Sequence, residues 1–331
     1  MSVTIKDIAK RAGVSYQTVS KALRDEKLIS KATRQRVTKI AREMGYIRSS
    51  VARAMSSRSS GLVAVFVPQL ATSFYHNIIQ GIEATAQPNG YSVLLYVYEN
   101  LNLEEKLNTI LSYSADGAII IENNFTEAFI GGFLKKRTPL IFVNSRNVPQ
   151  GVSHIRMDNE YGIGLAMEHL HSLGHRSVFV AGASHTSGTA RVEHAKRMGA
   201  RLGMRIGVKW FKPNYRSADV YEGFPLERVL RDYTSVVCSS DYIALPVIRL
   251  CHERGIAVPK RLSVVGFDDL EFSEFLWPPL TTVGQPKESY GQRIFRALLN
   301  VIRGGATENI SIFPELTVRA STRAVRSRRS R

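Results

Sequence analysis

The start of the chain places apolar side chains at helical spacing in three short segments. Thr4, Ser15 and Ser30 can each cap one segment, and a glycine follows the first and the third. The apolar positions are Ile5, Ile8, Ala9 and Ala12, then Val19, Ala22 and Leu23, and then Val37, Ile40, Ala41 and Met44. Two short helices joined by a glycine-containing turn, with a third helix that closes a small core, predict a helix-turn-helix domain over residues 1–46.

Beyond this domain the pattern changes twice. Residues 47–60 contain at most two helical turns and then Ser and Arg side chains without apolar periodicity, which indicates a hinge and linker. From Gly61 onward, apolar runs alternate with helical stretches, which is typical of βαβ units with parallel sheets covered on both faces. The runs are Leu62–Val67, Ser92–Val97, Ala118–Ile121, Leu140–Val143, Val178–Ala181, Val236–Cys238 and Val264–Phe267. About 270 residues of this pattern predict an α/β body of two lobes with a ligand crevice at the carboxyl ends of the strands.

The net charge of +17 is concentrated at the two ends of the chain. Residues 1–60 carry 14 Lys and Arg against 4 acidic residues, and residues 319–331 carry 6 Arg and no acidic residue. The remaining body is nearly neutral. A strongly basic head on a neutral body indicates a domain that binds nucleic acid.

Several classes of protein lack support in the sequence. No apolar run approaches the length of a membrane-spanning helix, and the N-terminus has no apolar core of a secretory signal, so we expect no membrane association and a cytoplasmic protein. Cys238 and Cys251 have no Cys or His neighbours at zinc spacing, and we expect no metal or cofactor. GxSxG, P-loop and HExxH motifs are absent, as is a GxGxxG that opens a helix after a strand, which argues against an enzyme.

Motifs from one end of the chain to the other occur in a single collinear order. The head reads VTIKDIAKRAGVSYQTVSKAL, then TRQRV and MGY; the body contains DNEYG, HLHSLGHR, SDYIAL, VPKRLSVVGFDD, PPLTTV and PELTVRAST. Together they resemble the lactose and galactose repressor family (LacI/GalR) of bacterial transcriptional regulators. The resemblance implies a helix-turn-helix head and hinge helix, then an effector-binding and dimerisation body over 61–331 that resembles periplasmic sugar-binding proteins. Its N-lobe would cover about 61–156 and 285–314, and its C-lobe about 157–284 and 315–331.

The resemblance places the second helix of the head in the major groove of DNA. Gln17 can pair with adenine through two hydrogen bonds and Tyr16 can contact a thymine methyl, so we expect these two side chains to carry much of the base discrimination. Packing of Tyr16 against the third helix is the alternative. Arg24 stands where the family commonly has Asn. The expected DNA contacts are Thr4, Ser15, Tyr16, Gln17, Thr18, Ser20, Lys21, Arg24, Lys31, Arg34, Arg53 and Met55.

Met55 matches a leucine of the family's hinge helix that inserts into the minor groove. Methionine is also apolar and flexible, so the mechanism is compatible with this residue. The alternative is that Met55 packs one hinge against the other. Arg48 and Ser49 replace a frequent Pro-Asn pair, which removes a helix-start signal.

The resemblance also implies candidate effector contacts in the body. Asp268 matches a carboxylate that accepts hydrogen bonds from ligand hydroxyls, and capping of the following segment is its alternative role. Glu193 stands in the stretch TARVEHAK where the family usually has an effector-binding Arg, and Ser240 replaces a usual Asn. The expected contacts are Phe74, Tyr75, Glu193, Tyr215, Ser240 and Asp268; the aromatic residues among them stack on rings or belong to the core.

A carboxylate at position 193 would repel anions, so we expect a neutral polyhydroxy or amino compound unless an Arg or Lys from elsewhere fills this place; a sugar-like ligand is the first expectation and a nucleoside-like ligand the second. Pairing of Glu193 with Arg197 one helical turn on is the alternative.

Taken together, these features predict a nucleoid-associated homodimer that binds a pseudopalindromic operator and acts as a repressor under the control of a small effector. The tail after Thr322 lacks the Leu heptads of a tetramer-forming coiled coil, so we expect dimers. The alternative is a regulator of the same fold that has no small-molecule effector and is controlled by a protein partner.

Overall fold

The computed structural model describes the chain in nine stretches and forms two compact units, residues 1–60 and 61–331. The described stretches are 3–23, 28–46, 59–70, 73–98, 102–122, 125–145, 147–213, 215–284 and 290–325. The predicted hinge helix around residues 51–55 lies outside them. Among the described residues, no helix is long and apolar enough to cross a membrane.

The first unit contains the three predicted helices, α1 (Ile5–Ala12), α2 (Tyr16–Leu23) and α3 (Lys31–Glu43). Thr4 caps α1, as the sequence predicts, and the structure shows that it forms a capping box with Asp7. The core consists of small and branched apolar side chains from all three helices: Ile8, Ala9, Ala12, Val19, Ala22, Val37 and Ala41. The helical spacing of these residues, which predicted the elements, therefore also brings them together.

The second unit begins with a sheet in the order β11-β5-β4-β3-β1-β2, in which every pairing is parallel. Its strands are β1 (Leu62–Val67), β2 (Ser92–Val97), β3 (Gly117–Ile121), β4 (Leu140–Val143), β5 (Ser153–Met157) and β11 (Asn309–Ile312). Helices cover both faces: α4 (Ser73–Ala86) and α12 (Tyr290–Ile302) on one, α5 (Leu107–Ser112) and α6 (Glu127–Lys135) on the other. We call this sheet and its helices the N-lobe.

A close approach of two backbones joins α4 to α12. A Cβ atom added to Gly291 would lie 2.1 Å from the carbonyl oxygen of Ile78 and 2.9 Å from the Cα atom of Gly81. Only glycine allows this separation at position 291, and the contact anchors α12, which comes late in the sequence, on a helix that forms near the start of the body.

A second sheet forms the C-lobe, in the order β12-β10-β9-β8-β6-β7. Its strands are β6 (Ser177–Ala183), β7 (Arg205–Phe211), β8 (Ser235–Cys238), β9 (Ser263–Asp268), β10 (Thr281–Gly284) and β12 (Glu315–Thr317), and only the β10–β12 pairing is antiparallel. Its helices are α7 (Asn159–Ser172) and α8 (Thr186–Arg201) on one face, and α9 (Ser217–Gly223), α10 (Leu226–Asp232) and α11 (Asp241–Glu253) on the other. The chain thus passes from the N-lobe to the C-lobe after β5, returns for α12 and β11, and passes back for β12.

Candidate functional site

The start of α2 presents the two side chains that we expect to read bases. Ser15 Oγ accepts a hydrogen bond from the backbone N–H of Thr18 over 3.1 Å, which fixes the first turn of the helix. Tyr16 is 58% exposed and Gln17 is exposed, so packing buries neither side chain. Ser20, one turn further along, is half-buried, as is Lys21.

The other expected contacts in the head are scattered over its helix ends. Thr4 Oγ1 donates to Asp7 over 2.6 Å, and the hydrogen bonds from Thr4 hold the pKa of Asp7 below its usual value. Lys31 is exposed at the first position of α3, whereas Arg34 is half-buried and donates to the carbonyl of Ile29 over 3.5 Å. The remaining three, Arg24, Arg53 and Met55, lie outside the described residues.

A cavity of about 900 Å³ lies between the two lobes at the carboxyl ends of their strands, a size typical of small-molecule sites. Five of the six residues that the sequence predicts for effector binding line it: Phe74, Tyr75, Tyr215, Ser240 and Asp268. It is also lined by four residues that no sequence motif predicted: Glu122, His185, Ser187 and Arg191. The cleft therefore combines aromatic side chains with charged and hydroxyl groups from both lobes.

An ion pair between Arg191 and Asp268 forms the C-lobe side of the cleft. Arg191 Nη1 lies 2.9 Å from Asp268 Oδ1, and both side chains are buried. Ser240 Oγ donates to Asp268 Oδ2 over 2.9 Å. Burial raises the pKa of Asp268, whereas Arg191 and Ser240 act in the opposite direction. Tyr215 lies beside this group and hydrogen-bonds to Ser240.

The guanidinium of Arg191 is fixed on several sides. Nη1 also donates to the carbonyl of Ser239 over 2.7 Å, and Nε donates to Asn159 Oδ1 over 2.7 Å. The guanidinium carbon lies 3.7 Å from the ring centroid of Phe267, a cation–π arrangement. These contacts hold a forked donor in one orientation at the wall of the cleft, where ligand oxygens are suitable acceptors.

The expected role of Glu193 in the cleft is wrong. Glu193 does not line the cavity; its carboxylate lies 2.8 Å from Lys196 Nζ, with both side chains nearly half exposed. Two helical positions separate Glu193 from Arg191, which turns the two side chains to nearly opposite sides of α8. Arg191 therefore lies in the cleft where we expected Glu193, and the carboxylate of Glu193 is not placed there to repel anionic effectors.

The pattern of buried positions along α8 shows how Arg191 could have been identified. The buried positions of this helix form one stripe at helical spacing: Ser187, Gly188, Arg191, Val192, Ala195, Met198 and Gly199. Arg191 lies inside the stripe, and Glu193 lies outside it. An arginine on the apolar face of a predicted helix is a stronger candidate for a ligand contact than a glutamate on the polar face.

We expect Glu193→Gln to change the free energy of unfolding by less than about 0.5 kcal/mol, because an exposed ion pair contributes little. Urea denaturation of the variant beside Lys196→Gln, which removes the partner charge, measures this. A loss above about 1 kcal/mol in the Glu193 variant would contradict an exposed, weakly coupled position.

On the N-lobe side, Glu122 follows β3 and Tyr75 belongs to α4. Ser187 Oγ donates to Glu122 Oε1 over 3.0 Å, and the hydroxyl of Tyr75 donates a second hydrogen bond to this carboxylate. Because Ser187 is in the first turn of the C-lobe helix α8, its hydrogen bond to Glu122 connects the two lobes across the cleft. Burial raises the pKa of Glu122.

Asp241, the first residue of α11, organises the loop that follows β9. Its carboxylate accepts hydrogen bonds from the backbone N–H of Leu270 (2.9 Å), from Ser273 Oγ (2.7 Å) and from Thr282 Oγ1 (2.6 Å). Burial raises the pKa of Asp241 to about 7, and these three donors oppose the shift. In the part of the chain that the structure describes, no cluster of His, Cys, Asp or Glu side chains could hold a metal ion.

Comparisons with known proteins agree with this architecture. The family model described as bacterial regulatory proteins, lacI family, matches residues 4–49, and the model of a periplasmic binding protein-like domain matches residues 167–322. The HTH-type transcriptional repressor CytR of Escherichia coli (strain K12) is 31% identical over 98% of this chain and 97% of CytR. The HTH-type transcriptional repressor PurR of Mannheimia succiniciproducens is 30% identical over 97% of this chain and 99% of PurR.

Two solved structures extend the comparison to three dimensions. The Lac repressor dimer bound to operator and the anti-inducer ONPF has a TM-score of 0.87 and 27% identity, over 98% of this chain and all of that one. The complex of the transcriptional regulator CelR with cellobiose has a TM-score of 0.69 and 25% identity, over 96% of this chain and 99% of that one.

A helix-turn-helix unit followed in the same chain by a two-lobed α/β body with a polar cleft defines a DNA-binding transcriptional regulator. The chain belongs to the LacI family of bacterial regulatory proteins.

Proposed function

We propose that this regulator represses transcription by binding a pseudopalindromic operator as a homodimer, and that a small polar effector in the cleft changes its affinity for DNA. The observation that carries the proposal is the pairing, in one chain, of an exposed recognition surface on α2 with a ligand-sized cleft lined by both lobes. An effector that contacts both lobes binds the closed and open arrangements unequally, which is the condition for shifting their populations.

Several similarities support the particular elements of this proposal. CytR and PurR are named as repressors, the Lac repressor neighbour is a dimer on its operator, and the CelR neighbour holds cellobiose. A symmetric dimer matches a pseudopalindromic operator because each head then contacts one half-site. We place the protein in the cytoplasm, at the nucleoid, and assign it no catalytic activity.

We assign the parts of the chain accordingly. Residues 1–46 form the DNA-binding head, 47–60 the hinge and linker, and 61–331 the effector-binding and dimerisation body. Tyr16 and Gln17 contact base edges, whereas the basic residues of the head contact phosphates. In the cleft, Asp268 and Ser240 bind effector hydroxyls, Arg191 donates to effector oxygens, and Phe74, Tyr75 and Tyr215 contact its apolar faces.

Gln17→Ala is expected to weaken binding to the operator by about 1–3 kcal/mol and to leave binding to random-sequence DNA nearly unchanged, because the variant loses a base contact and no charge. Genome-wide mapping of bound sites supplies the operator, and titration of labelled operator and random duplexes gives both affinities.

Lys31→Ala is the matched control on α3. It removes an exposed charge and is expected to weaken binding to the operator and to the random duplex to the same extent. The affinity for both duplexes should also depend less on salt concentration. If Gln17→Ala weakened binding to both duplexes equally, α2 would not read bases.

A further inference from the structure

Glu122 is a buried carboxylate with neutral partners. Only 7% of the residue is exposed, and its hydrogen bonds come from the hydroxyl groups of Ser187 and Tyr75. Neither hydroxyl brings a positive charge. A buried carboxylate in this position is costly unless a proton or a cation accompanies it.

None of the basic side chains that line the cleft is paired directly with Glu122, although the charge of Arg191 partly offsets the rise in the pKa of Glu122 that burial causes. Arg191 is paired with Asp268 at 2.9 Å, and its Nε and Nη1 atoms donate further bonds to protein oxygens. Arg216 is exposed at the rim and lies 3.7 Å from Asp219. Burial lowers the pKa of His185 to about 4, so its ring is neutral near pH 7. Among the described residues that line the interior of the cleft, two buried carboxylates therefore stand against one buried guanidinium.

The excess of one buried carboxylate over buried cations in the cleft indicates the kind of ligand. We propose that the effector carries a positively charged amino group that binds Glu122, and that Glu122 thereby selects against neutral and acidic compounds. This inference rests on the proposed function, because it requires the cleft to bind a small effector. Asp268, whose charge Arg191 already balances, remains available to hydroxyl groups, so the chemistry of the two ends of the cleft describes a hydroxylated amine such as an amino sugar.

A neutral polyhydroxy compound fits the N-lobe end less well. Its hydroxyl groups can donate to Glu122, but the negative charge stays unbalanced in a site from which the ligand displaces water. An ammonium group donates up to three hydrogen bonds and supplies the charge. Because Ser187 belongs to the opposite lobe, an amino group bound at Glu122 also lies where the lobes meet and contributes to the coupling between effector and lobe closure.

The test uses the full-length protein and a small-molecule extract of the bacterium that produces it. Ion-exchange chromatography at pH 7 separates the extract into cationic, neutral and acidic pools, and the Tm of the protein is measured with a dilution series of each pool. A compound that binds the native state stabilises it by RT ln(1 + L/Kd), where L is its free concentration, so Tm rises with the logarithm of L once L exceeds Kd. We expect the cationic pool to raise Tm, and we expect Glu122→Gln to need at least about ten times more of this pool for the same shift.

Glu104→Gln is the matched control, because it removes the same charge from an exposed position at the rim of the same cleft. Its response to the cationic pool is expected to equal that of the unaltered protein. The Tm of each variant without ligand reports whether it folds, and the identity of the active pool tests the ligand class on the unaltered protein alone.

The possible outcomes separate this proposal from the one on which it rests. A Tm increase with the neutral or the acidic pool and none with the cationic pool overturns the amino-group assignment and leaves the effector function standing. An undiminished response of Glu122→Gln to the cationic pool overturns the role of Glu122. No response to any pool overturns the effector function itself and favours control by a protein partner.

Discussion

Arg191→Met is expected to lower the free energy of unfolding of the body by about 3–5 kcal/mol at pH 7, because it leaves Asp268 as a buried charge without its cation. Methionine fills most of the volume and retains contact with Phe267, so the loss reports the charge rather than a void. Urea denaturation followed by circular dichroism measures the difference.

The pH dependence of the stability of the Arg191→Met variant distinguishes the loss of charge pairing from a loss of packing. Without the guanidinium, the pKa of Asp268 in the folded state rises further above its value in the unfolded chain, so the native state binds more protons and stability falls as pH increases. The loss in free energy of unfolding is therefore expected to be smallest below the pKa of Asp268 in the unfolded chain, about 4, and largest at neutral pH.

Two further variants complete the comparison. Asp268→Asn in the Arg191→Met background removes the unpaired charge and is expected to recover most of the loss at neutral pH. Arg197→Met, on the same helix, breaks an exposed pair with Glu160 and is expected to cost less than about 1 kcal/mol. A deficit that is the same at pH 4 and pH 7 would point to packing instead of charge.

Asp241→Ala is expected to destabilise the body by about 3–5 kcal/mol, because three buried donors lose their acceptor at once. The backbone N–H of Leu270 cannot rotate toward another acceptor, and the hydroxyls of Ser273 and Thr282 are buried as well. Denaturation in urea, with calorimetry as a second method, gives the magnitude.

Asp241→Asn is the informative companion to the alanine variant. Its amide oxygen can accept from Leu270 and Ser273 while its amide nitrogen donates to the hydroxyl of Thr282, so we expect a loss below about 2 kcal/mol. Burial raises the pKa of Asp241 to about 7, so the native protein retains a proton that the unfolded chain releases, and stability falls as pH rises toward this value. The Asn variant is expected to lose this part of the pH dependence; equal losses in both variants would refute the role as acceptor.

The sequence predicted the strands that are continuously apolar and missed those that are not. Each apolar run from Gly61 onward forms a strand; six of these strands are almost fully buried, as such runs predict, whereas β2 is a half-buried edge strand. By contrast, β7 (Arg205–Phe211) lies at a sheet edge and contains exposed and half-buried positions. The strand β10 is fully buried but contains Thr281 and Thr282, whose hydroxyl groups bond to partners far along the chain. No local pattern reports such partners.

Residues of the candidate site could be predicted where a motif fixed their position. The prediction was wrong where the position depended on helix register. Asp268 and Ser240, which the family resemblance predicts as effector contacts, line the cleft: Asp268 ends a strand and Ser240 precedes a helix, at the carboxyl edge of the sheet. Arg191 was not predicted because the motif TARVEHAK does not by itself indicate which side of the helix is buried. Glu122 was not predicted because a single acidic residue after a strand has no motif, and its significance depends on Arg191, the nearby cation, being paired with Asp268.

The route of the chain between the lobes has a consequence during synthesis on the ribosome. The N-lobe sheet includes β11, and its core includes side chains of α12, so this lobe needs residues 290–312, which are made after strands β6 to β10 of the C-lobe. Until then, β1 (Leu62–Val67) and its neighbours lack the apolar cover that α12 provides, although the C-lobe segment between β6 and β10 is already complete. A nascent chain in this state exposes strand surface that is prone to aggregation. We therefore expect the growing protein to depend most on chaperones after β10 of the C-lobe has been synthesised and before α12 and β11 complete the N-lobe.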